Sequence, residues 1–102
     1  MTIFFKTGVE GDLHPRMQKA LNQIDHVYYM EYKEDTLVTS KRDGVHSSGS
    51  LHYIGRAIDT RYPKACLDRQ VFANTLRIAL GQDFDVVPEG NHIHIEYDPK
   101  EK

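Results

Sequence analysis

The sequence contains one cysteine, Cys66, so an internal disulfide and a thiolate-rich metal site are both excluded. It has no apolar run near the roughly 20 residues of a membrane span. Its first residues, MTIFFKTGVEGD, include no apolar segment long enough for a signal peptide. No internal repeat or low-complexity segment is visible. We therefore expect a single domain over residues 1–102, made in a cytoplasm and reaching any target outside by export or lysis of the cell.

Neither sign of charge is in large excess, since the net charge is −2 with the histidines neutral. Such a balance does not favour binding to nucleic acid or to an anionic membrane surface, and we expect neither partner. A chain of this length buries only a modest core, and a bound metal ion is one way to stabilise it further. We expect the protein to be a monomer.

Hydrophobic periodicity predicts two helices and about five strands. The helices are expected at 12–25, capped by Asp12, and at 67–81, ended by Gly81 and with Val71 and Phe72 among its inward-facing residues. The strands are expected at 26–32, 36–40, 56–62, 84–87 and 92–97, with a turn at 88–91. Because this order is not a regular alternation of strand and helix, the fold class predicted is α+β with a small, mainly antiparallel sheet.

The segment HIHIEY near the end of the chain combines two histidines with alternating isoleucines. On a strand, His92, His94 and Glu96 would share one face while Ile93 and Ile95 face the core. The two histidines are then neighbours that can reach one cation, or one can bind it while the other serves a reaction. Glu96 is interpreted as a solvated strand end.

His52 and Asp59 stand seven residues apart on either side of Gly55. A strand would set them about 23 Å apart and a helix about 10 Å apart, whereas ligands of one zinc ion lie about 2 Å from it. A chain that doubles back near Gly55 brings them together, because glycine permits unusual backbone angles.

Two histidines and one aspartate form a ligand set suited to zinc, and three protein ligands leave a fourth position for water, as in catalytic sites. A general base must stand beside that water without binding the metal. Glu89, in the turn before the two histidines, is the best-placed carboxylate. The histidine that does not bind metal is then free to stabilise an oxyanion.

The strings SLHYIGRAID and HIH resemble a zinc-peptidase family that includes D-Ala-D-Ala carboxypeptidases, dipeptidases and phage endolysins that cut peptidoglycan stem peptides. The family pattern is Ser-x-His-x-x-Gly-x-Ala-x-Asp followed by an acidic residue and either His or His-x-His. It is matched by Ser50, His52, Gly55, Ala57, Asp59, Glu89, His92 and His94. The resemblance covers residues 46–61 and 84–97. The same string is similar to the zinc-binding signalling domain of Hedgehog proteins, which shares the fold and metal set without an established peptidase role.

The resemblance implies one zinc ion per chain, bound by His52, Asp59 and His94. It also implies a Hedgehog/DD-peptidase-like fold and a peptidoglycan peptide as substrate. Glu89 would be the general base and His92 a catalytic histidine. Arg42, in a segment similar to the family's Ser-x-x-Arg, would bind a substrate carboxylate through its planar guanidinium.

The spacing of the acidic residue leaves the third ligand open. In several peptidases of the family the acid lies three residues before the metal-binding histidine, whereas Glu89 lies three before His92 and five before His94. We favour His94 as the ligand and keep His92 as the alternative. The alternative function is a non-catalytic module on the same fold that binds zinc, the cell wall or a protein partner.

Overall fold

Residues 2–9, 13–41 and 56–99 are described by the structure, a computed structural model. Within them, five strands and two helices form an α+β arrangement, which confirms the predicted fold class. The elements are β1 (Ile3–Phe5), α1 (Pro15–Val27), β2 (Thr36–Lys41), β3 (Ala57–Thr60), α2 (Arg69–Leu80), β4 (Phe84–Pro88) and β5 (Ile93–Tyr97).

The strands form one sheet in the order β1-β2-β3-β5-β4. Only the β1–β2 pair is parallel, and the other three pairs are antiparallel. The register between β2 and β3 shifts at Val38 and Ser40, where the ladder contains a bulge. β3 and β5 are neighbours inside the sheet, so the described end of the segment 46–61 is hydrogen-bonded to the segment 84–97.

Both helices pack on one face of this sheet. Alternate strand residues point into the core because side chains alternate across a strand. The fully buried residues of this core include Met17, Ile24, Val38, Ile58, Phe72, Leu76, Ile93 and Ile95. The opposite face of β3 and β5 therefore carries Asp59 and His94, as the alternation in HIHIEY predicts.

The predicted strand at 26–32 is wrong. Helix α1 extends to Val27 and continues as a π-helical segment, Tyr28–Tyr32, in which the N–H of Lys33 donates to the carbonyl of Tyr28. This π-helical segment ends at Lys33, whose φ of 57° lies in the left-handed region. The β-propensity of Val and Tyr is overridden here, because Val27 and Tyr28 continue the helical spacing of α1 and are buried with it.

The side chain of Tyr28 ties this segment to the end of β3. Its hydroxyl lies 3.0 Å from Oγ1 of Thr60 and donates a hydrogen bond to the carbonyl of Arg61. Burial raises the pKa of the Tyr28 phenol far above its ordinary value, so the group stays a neutral donor. The contact helps to fix the end of the strand that carries Asp59.

Helix α2 begins one residue after Asp68, whose carboxylate accepts from the backbone N–H groups of Gln70 and Val71 at 2.9 and 3.2 Å. It ends at Gly81, with φ of 91°, as predicted. The inward orientation predicted for Val71 is wrong, because that side chain is 57% exposed. The Asp12 cap predicted for α1 lies outside the described residues, and His14 caps the helix by accepting from the N–H of Arg16.

Strand β1 was not among the predicted elements. It is three residues long and extends the sheet beyond β2.

In the part of the chain that the structure describes, no helix combines the length and apolar character that crossing a membrane requires.

Candidate metal centre and catalytic residues

The centre of the candidate site is the pair formed by Asp59 and His94. They are direct partners across β3 and β5, and Oδ1 of Asp59 lies 2.9 Å from Nδ1 of His94. The side chain of Asp59 is only 8% exposed and that of His94 is 18% exposed. Ladder register thus brings together two residues that stand 35 positions apart in the sequence.

His94 lies between two carboxylates. Its Nδ1 contacts Asp59 and its Nε2 lies 3.1 Å from Oε1 of Glu96, which is two residues further along β5 on the same face. An ionised carboxylate only accepts hydrogen bonds, so these two contacts favour a ring with hydrogen on both nitrogens. The Asp59 hydrogen bond, with a smaller contribution from Glu96, raises the pKa of His94 although partial burial opposes the charge.

His92 and Glu89 form a second pair beside the first. Strand β5 begins at Ile93, so His92 lies at the end of the turn, with its Nε2 2.7 Å from Oε1 of Glu89. The same nitrogen is 3.9 Å from Oδ2 of Asp59. Its other ring nitrogen, Nδ1, lies 2.8 Å from Oδ1 of Asn91. The Glu89 side chain is 46% exposed, which leaves it open to water.

Tyr62 holds the turn that carries Glu89. Its hydroxyl donates to the backbone carbonyl of Glu89 at 2.6 Å, and the N–H of Glu89 donates to the carbonyl of His92 at 2.9 Å. The Tyr62 ring meets Phe72 edge-on and lies beneath the guanidinium of Arg69, with centroid distances of 6.2 and 4.8 Å. The backbone around Glu89 is therefore fixed from the β3–α2 connection as well as from within the turn.

The structure brings together four of the six predicted site residues, namely Asp59, Glu89, His92 and His94. His52, the predicted third ligand, and Arg42, the predicted substrate-binding residue, lie outside the described residues.

The donors of the Asp59–His94 pair fit zinc. A carboxylate oxygen and an imidazole nitrogen are ordinary zinc ligands at about 2 Å, and two ligands of one ion lie at most about 4 Å apart. Their observed separation of 2.9 Å satisfies that limit. Within residues 2–9, 13–41 and 56–99, however, no three His, Cys, Asp or Glu side chains form a group that could hold a metal ion.

One surface groove of the described part of the chain lies apart from these side chains. A groove of about 670 Å³ lies beside β1 and β2, and its lining includes Phe4, Leu37 and Arg61 but none of the predicted site residues. Among the residues that line this groove, Arg61 is the nearest in sequence to a predicted site residue, since it follows Asp59 by two positions. The candidate site is identified by the chemistry of its side chains.

Sequence reasoning did not identify two residues that form hydrogen bonds with the candidate site, Glu96 and Tyr62. The interpretation of Glu96 as a solvated strand end is incomplete, because its 42% exposed side chain also contacts His94. The strand alternation that places Glu96 on the histidine face is the available signal. Tyr62 gave no sequence signal, because its partner is a backbone carbonyl 27 residues away.

Comparison with known proteins adds no family assignment. The sequence matches no protein-family model, and a search of curated proteins finds no match to it.

Proposed function

We propose that the protein is a zinc-dependent peptidase that hydrolyses peptide bonds in peptidoglycan stem peptides, on a Hedgehog/DD-peptidase-like fold. The observation that carries the proposal is the convergence of Asp59 and His94 at 2.9 Å beside the Glu89–His92 pair. These are four of the residues at which the sequence resembles the zinc-peptidase family. In this proposal His52, Asp59 and His94 bind the ion, which supplies a Lewis acid that polarises a carbonyl and acidifies water.

Glu89 is the general base of the proposed reaction. Its carboxylate accepts a proton from the attacking water and delivers it to the departing amine. Its half-exposed side chain is open to solvent, while Tyr62 and the turn hold its backbone. Such proton transfer contributes typically about 10²- to 10⁴-fold to a rate.

His92 stabilises negative charge as the carbonyl carbon becomes tetrahedral. Its Nε2 lies 2.7 Å from Glu89 and 3.9 Å from Asp59, so it is positioned between the base and the candidate metal centre. A donor fixed before the reaction begins costs no reorganisation during it. Arg42 is proposed to hold a substrate carboxylate. A phage-derived enzyme of this kind would meet the host cell wall after lysis or export.

A second candidate function is a zinc-binding module without catalysis. The 3.9 Å separation between His92 Nε2 and Asp59 Oδ2 favours it, because His92 and His94 together could complete a closed ligand set. In that case Glu89 orients His92 and has no role as a base.

The test is incubation of the zinc-supplemented protein with purified muropeptides, followed by mass spectrometry of the fragments. The peptidase proposal predicts product pairs that sum to the substrate plus one water, which disappear in Glu89→Gln and persist in Glu31→Gln, a matched change at an exposed helical position. Stoichiometric zinc without any fragments supports the second candidate. Failure to bind zinc contradicts both.

A further inference from the structure

Glu96 contacts the nitrogen of His94 that faces away from Asp59. Its Oε1 lies 3.1 Å from Nε2, while Asp59 Oδ1 lies 2.9 Å from Nδ1. The ring of His94 is therefore held at both ends, by a proposed metal ligand on one side and by a carboxylate without an assigned role on the other.

We propose that Glu96 is a positioning residue for the metal centre, which fixes the hydrogen of His94 on Nε2 and directs Nδ1 to the ion. A neutral imidazole carries one N–H, so a hydrogen held at Nε2 leaves the Nδ1 lone pair available. Metal-binding histidines commonly donate their other N–H to a carboxylate, which sets the ring orientation and strengthens the ligand. This inference rests on the proposed function, because it takes Asp59 and His94 as ligands.

The position of Glu96 is set by the backbone on both sides. β5 pairs with β3 and β4, and Glu96 stands opposite Ala57 on the first and Asp85 on the second. Because register fixes these neighbours, Glu96 follows His94 on the same face in any arrangement that preserves the sheet.

Removal of the Glu96 carboxylate should weaken zinc binding only modestly. The Glu96 side chain is 42% exposed, so water can replace part of its hydrogen bond. Loss of such outer carboxylates typically weakens metal affinity about 10- to 100-fold, and we expect a value near the lower end.

The first measurement is the zinc dissociation constant, by competition with a chromophoric chelator. Glu96→Ala should raise it about tenfold, and Glu96→Gln, which keeps an acceptor oxygen, should recover most of the loss. Glu31→Ala removes the same charge from an exposed helical position and should leave the constant unchanged. Equal affinity in wild type and Glu96→Ala overturns the inference.

The second measurement is the ¹⁵N spectrum of the His94 ring in zinc-loaded protein. We expect a protonated Nε2 and a zinc-bound Nδ1, with faster exchange of the Nε2 hydrogen in Glu96→Ala. Zinc bound through Nε2 overturns the inference while leaving the zinc proposal intact. A wild-type protein that binds no zinc overturns the proposed function and this inference together.

Discussion

Nδ1 of His94 lies 2.9 Å from Oδ1 of Asp59 because the two residues are direct partners on adjacent antiparallel strands. No loop conformation is needed to bring them together. The Glu89–His92 pair lies at the edge of the same cluster, with His92 Nε2 3.9 Å from Asp59 Oδ2. The β3–β5 register therefore places the two proposed zinc ligands in direct contact. The proposed oxyanion donor, His92, lies 3.9 Å from one of them and is paired with the proposed base, Glu89.

Glu89→Gln should retain zinc while losing hydrolysis. The change removes a base without removing a proposed ligand, so we expect kcat to fall by about 10² to 10⁴ with metal content unchanged. The measurements are steady-state hydrolysis of a muropeptide and zinc content on the same preparation. Loss of zinc from this variant would show that Glu89 is not simply the base.

His94→Ala should release the metal and lower the melting temperature. At free zinc 100 times the dissociation constant, binding adds about 2.7 kcal/mol, or about 10 to 20 °C for a domain of this size. Calorimetry with and without zinc measures the shift, and His26→Ala, at an exposed position of α1, is the matched control. If His94→Ala keeps its zinc and His92→Ala loses it, His92 is the third ligand.

Tyr62→Phe should lower activity without changing zinc content. The variant keeps the ring against Phe72 and removes the 2.6 Å hydrogen bond to the carbonyl of Glu89. We expect a loss of stability of about 1 kcal/mol and a decrease in kcat that exceeds any change in KM, because the base is held less firmly. An unchanged kcat in a variant with reduced stability would limit Tyr62 to a structural role.

The metal-free protein should show a pH-dependent stabilisation from His94. Contact with Asp59 raises the pKa of His94, so this stabilisation is fully present below the ordinary value of about 6.5 and is lost as the pH rises through the raised value. The difference in melting temperature between wild type and His94→Gln, measured with a chelator present, should shrink over that interval. Zinc affinity should rise over the same interval, because the ion must displace the ring hydrogen. A difference in melting temperature that does not depend on pH would contradict a stabilising contact of protonated His94 with Asp59.

Local sequence signals predict most of the helices and strands. Helix α2 has an Asp68 cap, an apolar stripe and a Gly81 end, and the isoleucines of β5 alternate with its polar residues, so both elements follow from short-range chemistry. The segment 26–32 could not be predicted in this way. Its valine and tyrosines have high β-propensity, and burial of Val27 and Tyr28 against the rest of the core makes a helical continuation favourable.

The candidate site was predicted by residue type and resemblance, and its contacts were not. The pairing of Asp59 with His94 depends on which strands are neighbours, and sequence periodicity does not determine strand order. The roles found for Tyr62 and Glu96 arise from tertiary contacts of single side chains. Those contacts appear only once the sheet is assembled.

Zinc-edge anomalous diffraction from a zinc-soaked crystal tests the central claim most directly. The account predicts one strong peak per chain, about 2 Å from both a carboxylate oxygen of Asp59 and Nδ1 of His94. A map with no peak between these side chains, from a crystal soaked in a large excess of zinc, would contradict it.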